Sequence, residues 1–162
     1  MNLDGGIHEI PLPGVTGRMW LCGKHYIAPR PDEVLQTLDA DRVICLVHHH
    51  ELRSHYSDYV NWLRTSDRAI WFPIHDLSSP DFDDVVDLYQ SVAEQIRSGD
   101  AVIVHCAAGI GRAGTLAVGV CQILGMSLDD ALVHVRRHRP GAGPEAGQQM
   151  EAVRYLADVL AG

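Results

Sequence analysis

At 162 residues with 46% hydrophobic content, the chain can bury one sizeable core and is too short for two domains of ordinary size. A formal net charge of −8 argues against nucleic acid or anionic lipid as a general partner, because both reward basic surfaces. No apolar run approaches the ~20 residues of a membrane span, and the opening MNLDGGIHEI has neither a basic n-region nor an apolar h-region, so a cytoplasmic protein with no membrane partner is expected.

In chain order the pattern predicts a strand over 19–22, a helix over 32–38, a strand over 43–47, a helix around 56–63 and a strand over 69–72. A helix over 82–97 follows, with Val85, Leu88, Tyr89, Val92 and Ile96 on one face. The apolar run Ala101-Val102-Ile103-Val104 reads as a buried strand and 112–124 as a helix. Ser127 opens a capping-box pattern before a helix over 128–138, and a last helix spans 145–160. Strands alternating with helices imply an α/β class: a single domain over 1–162 whose central, mostly parallel sheet is flanked by helices. Residues 1–18 form an N-terminal extension and 19–160 the core. The ligand site belongs at the carboxyl ends of the strands.

The segment HCAAGIGR, His105 to Arg112, falls at that end. It joins strand to helix, and backbone N–H groups at a helix start have no intrahelical partner, so they converge on oxyanions. Ala107, Ala108, Gly109, Ile110, Gly111 and Arg112 are the predicted phosphate cradle. Cys106 at its foot is surrounded by the same donors, which favour the thiolate, the nucleophilic form. Arg112 adds a planar cation able to clamp two phosphoryl oxygens at once.

Two other readings compete here. Gly109-Ile110-Gly111-Arg112-Ala113-Gly114 is formally G-x-G-x-x-G, but a dinucleotide-binding unit should continue into a strand ending in an acidic residue, whereas Asp129-Asp130 introduces another helix. Alternatively, Cys106 could be a small buried hydrophobe; its arginine and glycine neighbours argue otherwise. The cysteines Cys22, Cys45, Cys106 and Cys121 lack paired CxxC spacing and read as reduced thiols, without a structural zinc site.

The Cys-x5-Arg spacing with a preceding histidine resembles the signature loop of the cysteine-dependent tyrosine and dual-specificity phosphatases. Order and length are most similar to the small kinase-inhibitor-associated and regenerating-liver types. The resemblance implies a phosphocysteine mechanism needing no metal or cofactor, and a phosphorylated protein as substrate. It implies that His105 orders the loop and that Asp76, in Pro73-Ile74-His75-Asp76-Leu77-Ser78-Ser79-Pro80, protonates the leaving group. Asp81, Asp83 and Asp84 are nearby alternatives, of which Asp81 and Asp83 suit capping of the next helix. A glutamine after the 139–144 Gly/Pro loop resembles one that positions hydrolytic water, and family spacing favours Gln148 over Gln149. The cradle carries no lysine, unlike relatives that hydrolyse phosphoinositides, and the short chain implies a shallow site.

Four features fit less simply. Family members usually carry Ser or Thr after the loop arginine, and this chain has Ala113, with Thr115 two positions later. An enzyme slow in its second step and a phosphoprotein-binding module are thus both open; retention of Cys106, Arg112 and Asp76 together favours the enzyme. The triple His48-His49-His50 reads as a polar loop, since consecutive side chains do not easily converge on one metal. Arg136-Arg137-His138-Arg139 ends a helix, where basic residues complement the dipole, or forms a positive rim for a phosphorylated substrate. Cys45 reads as core, with a resolving thiol for oxidised Cys106 as the alternative.

Overall fold

Ala101–Cys106 is buried at every position, the pattern of a strand covered on both faces, and it lies in the middle of the sheet. The computed structural model describes residues 5–74, 82–145 and 147–162. Among these, β1 (Ile7–Glu9), β2 (Arg18–Gly23), β3 (Arg42–Cys45), β4 (Ala69–Trp71) and β5 (Ala101–Cys106) form one sheet in the order β1-β2-β5-β3-β4. The β1–β2 pair is antiparallel and the other neighbours are parallel.

Eight helices accompany the strands among the described residues: α1 (Lys24–Ile27), α2 (Pro31–Leu38), α3 (His49–Leu52), α4 (Ser57–Thr65), α5 (Phe82–Arg97), α6 (Arg112–Ile123), α7 (Leu128–His138) and α8 (Gly147–Ala161). Parallel crossovers are right-handed. The steps β2→β3 and β3→β4 run the same way across the sheet, so α2 and α4 share a face, while β4→β5 runs back and puts α5 on the other. There α6 is enclosed by α5, α7 and α8, and every residue from Arg112 to Gln122 is buried. At Gly119 an added Cβ would lie 2.4 Å from the Tyr89 ring, so the α5–α6 approach requires glycine.

Three elements carry too little pattern to be read from sequence. β1 is a three-residue edge strand inside the 1–18 extension, in register with β2 from Ile7↔Cys22 to Glu9↔Trp20. α1 and α3 are single turns of four residues. α3 also corrects the reading of His48-His49-His50 as loop: His48 is its N-cap, and the His48 N–H donates to Glu51 Oε2 at 2.8 Å. No helix among the described residues is long and apolar enough to cross a membrane.

Candidate active site

The loop between β5 and α6 is held by its carbonyls. Lys24 N–H donates to Ala107 O at 3.0 Å, and the Arg139 guanidinium donates from Nη2 to Ala108 O at 2.9 Å and from Nε to Gly109 O at 2.7 Å. In a trans peptide the N–H points opposite to the C=O, so drawing three successive carbonyls outward turns the amides of residues 108, 109 and 110 toward the concave side. Gly109 permits this with φ +75°, where a Cβ would sit 2.3 Å from Cys22 O. Cys106, 3% exposed as a residue, lies at the foot of the loop, and its sulfur accepts from the Ala113 N–H at 3.5 Å. A free amide at the first turn of α6 thus points at the thiol.

Arg112 is as buried as the cysteine, and its charge is matched. Its Nη2 donates to Glu51 Oε1 at 2.8 Å and its Nη1 to Glu51 Oε2 at 3.0 Å, a bidentate pair. Nη1 also donates to Ile74 O at 2.7 Å. Burial works against the Glu51 charge, but hydrogen bonds from Arg112 and the His48 backbone, with the guanidinium's charge, hold its carboxyl below the usual range. Glu51 is absent from the sequence reading. A polar His-His-Glu stretch has no helical periodicity, and only the adjacency of β3 and β5 brings it to a residue 61 positions away.

Beneath the loop, His105 is fully buried between β2 and β3. Its Nδ1 lies 3.2 Å from Cys106 O and its Nε2 2.6 Å from Tyr59 Oη. A carbonyl only accepts, so Nδ1 carries the proton and Nε2 accepts from the tyrosine hydroxyl. Burial lowers the imidazole pKa to about 4, with the Arg112 charge acting in the same direction and the Cys106 carbonyl against it. The ring is neutral near pH 7.

The family model for the DSP-PTPase phosphatase domain of Swiss Army Knife proteins matches residues 28–158. The chain belongs to this phosphatase family. Dual specificity protein phosphatase 1 of Arabidopsis thaliana is 42% identical over 79 residues, 48% of this chain. The chain spans only 36% of that relative's length. Among solved structures, the active form of Tk-PTP is 30% identical, with a TM-score of 0.70 over 93% of this chain and 97% of that one. Kinase associated phosphatase with its catalytic cysteine replaced by serine has a TM-score of 0.77 at 18% identity, covering 96% of each chain, a likeness of fold.

Within this phosphatase fold the remaining residues sort as follows. Asp76 and Asp81 lie outside the described residues, while Asp83 sits in the first turn of α5 and accepts from Tyr155 Oη of α8. Gln148, favoured by spacing, is exposed on α8; Gln149 is the one against the loop. Its Oε1 accepts from Glu145 N at 2.8 Å, and its buried Nε2 makes no hydrogen bond among the described residues. One position on a helix turns a side chain by about 100°, and α8 begins at Gly147 rather than at 145. A cavity of about 10 Å³ bounded by Arg112, Thr115 and Gln149 is near the lower limit for a single water.

The Thr115 hydroxyl is committed to Gly111 O at 2.6 Å, so it does not replace a hydroxyl at position 113. Arg139 fits neither reading of Arg136-Arg137-His138-Arg139, helix-ending cations or a positive rim. It is 1% exposed and, besides the loop carbonyls, reaches Gly6 O at 3.1 Å and His8 Nδ1 at 2.8 Å. Arg136 and Arg137 remain exposed at the end of α7. Cys45 is fully buried, and burial pushes its thiol up to about 12, which suits a core residue rather than a reactive thiol.

Proposed function

We propose that this chain is a phosphoprotein phosphatase that hydrolyses phosphotyrosine, and phosphoserine or phosphothreonine where they reach its shallow site, through a phosphocysteine at Cys106. The Cys106 thiolate attacks phosphorus while the ester oxygen leaves, taking a proton from the Asp76 carboxyl. Arg112 and the amides of Ala107, Ala108, Gly109, Ile110 and Gly111 hold the three equatorial oxygens, where charge must be matched in the transition state. Water then attacks the phosphocysteine, the Asp76 carboxylate takes the water's proton, and phosphate and the thiolate separate. His105 keeps the loop in shape, and Gln149 rather than Gln148 is assigned to the water.

The observation that carries this reading is the Ala113 N–H aimed at Cys106 Sγ beside an arginine locked in place by Glu51. That arrangement suits an anionic sulfur next to an anionic ligand. The test is turnover of an aryl phosphate in excess chelator. Activity should persist in chelator, vanish in Cys106→Ser, and in Asp76→Asn fall far more for phenyl phosphate than for p-nitrophenyl phosphate, which needs no proton to leave. A Cys106→Ser protein that turns over, or activity lost with chelator, overturns the mechanism. Equal losses for both leaving groups would reassign the acid.

A further inference from the structure

A cavity of about 190 Å³ opens between α3 and α4, lined by His49, Arg53, Ser57, Asn61 and Arg64 around the side chain of Val60. Its polar lining is two guanidinium groups, an imidazole, a hydroxyl and an amide. Among the described residues no carboxylate lines it, whereas the cavities near α2 are lined by Asp32, Glu33 and Asp58. Neither Arg53 nor Arg64 forms an ion pair among the described residues. In a chain of net charge −8, two such arginines converging on one cavity make a local positive site against a repulsive background.

The cavity is also organised. The Trp71 indole N–H donates to Val47 O at 2.7 Å, which fixes the ring at the carboxyl end of β4. Arg64 lies over that ring at 5.9 Å and the His49 ring packs against it at 6.5 Å. This end of the sheet is the one where β5 delivers Cys106, two strands away in the order β5-β3-β4. Two strand spacings are roughly 10 Å, or about three residues of extended peptide.

We propose that this cavity is a second anion subsite that receives an oxyanion of the phosphoprotein substrate, a second phosphate or a carboxylate, about three residues from the phosphate in the catalytic loop. The proposal rests on the phosphatase reading above for the first phosphate. Paired guanidinium groups with a hydroxyl and an amide match the several acceptor oxygens of a phosphate, which favours a doubly phosphorylated segment over an acidic one.

The test uses Cys106→Ser protein, so that peptides bind without turnover, and phosphotyrosine peptides carrying phosphoserine, glutamate or alanine at two to five positions on either side. At the best position the second phosphate should tighten binding about tenfold or more over alanine. The gain should fall below about twofold in proteins that also carry Arg53→Ala with Arg64→Ala, or the milder Arg53→Gln with Arg64→Gln. A gain from glutamate equal to that from phosphate identifies a carboxylate as the natural group and supports the subsite. With Cys106 intact, either pair of substitutions should leave aryl phosphate turnover within about twofold, which also reports folding. No gain at any position, no measurable binding, or a gain that survives both pairs overturns the proposal. Absent aryl phosphate turnover would instead count against the phosphatase reading, because the binding comparison needs no catalysis.

Discussion

Glu51 holds Arg112 with both carboxylate oxygens, at 2.8 and 3.0 Å, from a helix that precedes the β5–α6 loop by about a third of the chain. Their side chains are only 16% and 1% exposed, so this is a buried pair, and removing one partner leaves the other charge uncompensated. Glu51→Gln should therefore cost about 2–4 kcal/mol of stability and, through a misplaced guanidinium, about 10- to 100-fold in kcat/KM for an aryl phosphate. Because the folded carboxyl lies below its ordinary range, the pair's stabilisation is complete above the ordinary carboxylate pKa and disappears as pH falls through the lower folded value. Denaturant titrations of wild type and Glu51→Gln should converge at low pH. A constant gap between them would mean that the pair is not the cause.

His105 titrates in the same direction. Its imidazole, at about 4 when folded, is near 6.5 when unfolded. Between those values the unfolded chain binds a proton that the native chain refuses, and stability falls as pH drops, by on the order of 3 kcal/mol over the window. Urea midpoints measured from pH 7 to pH 4 should show this slope, flattened in His105→Asn. Tyr59→Phe removes the hydroxyl that donates to Nε2 and should cost about 1–3 kcal/mol at pH 7. No loss in that variant would show that water replaces the hydroxyl.

Arg139 should behave as part of the loop rather than of the surface. Arg139→Lys cannot reproduce its donations to Ala108, Gly109 and Gly6, so a loss of about 2–4 kcal/mol is expected. The KM for an aryl phosphate should rise as the loop amides lose alignment. Arg136→Ala and Arg137→Ala, both exposed, should change stability by less than about 0.5 kcal/mol. Equal effects from all three would restore the surface reading.

Much of this architecture is legible in the sequence because its signals are long and regular. The strand leading to Cys106, the face of α5 and the Ser127 cap of α7 all follow from period and capping alone. What escapes is short or long-range. β1 has three residues and α3 has four, too few for a period, and the Glu51–Arg112 pair exists only because β3 and β5 are neighbours. Arg139 reads as a helix-ending cation, but α7 stops at His138, and the extended backbone of its cap, φ −136° and ψ 103°, takes the side chain off the helix into the core. Gln148 and Gln149 differ by a single helical step, which spacing cannot resolve when the helix start is uncertain by two residues.

Ala113 sets the expected rate-limiting step. With the Thr115 hydroxyl committed to Gly111 O, the Ala113 backbone N–H is the one hydrogen-bond donor to the Cys106 sulfur among the described residues, and the proposed second step has no side-chain hydroxyl at position 113 to help the sulfur leave. Phosphocysteine should accumulate, and rapid mixing with an aryl phosphate should give a burst of about one equivalent before a slower steady state. Ala113→Ser should raise the steady-state rate about tenfold or more and shrink the burst, because a hydrogen bond to a developing anion contributes about 1.5–3 kcal/mol. A wild-type protein with neither a burst nor a gain from serine would place the slow step elsewhere.

The covalent intermediate itself is the most direct measurement. Protein mixed with an aryl phosphate, quenched in acid within the burst and digested for mass spectrometry should carry one phosphoryl group, on the peptide containing Cys106. The adduct should be absent from Cys106→Ser and more abundant in wild type than in Ala113→Ser. A phosphoryl group on any other residue, or steady turnover with no adduct on Cys106 at any quench time, would contradict the account.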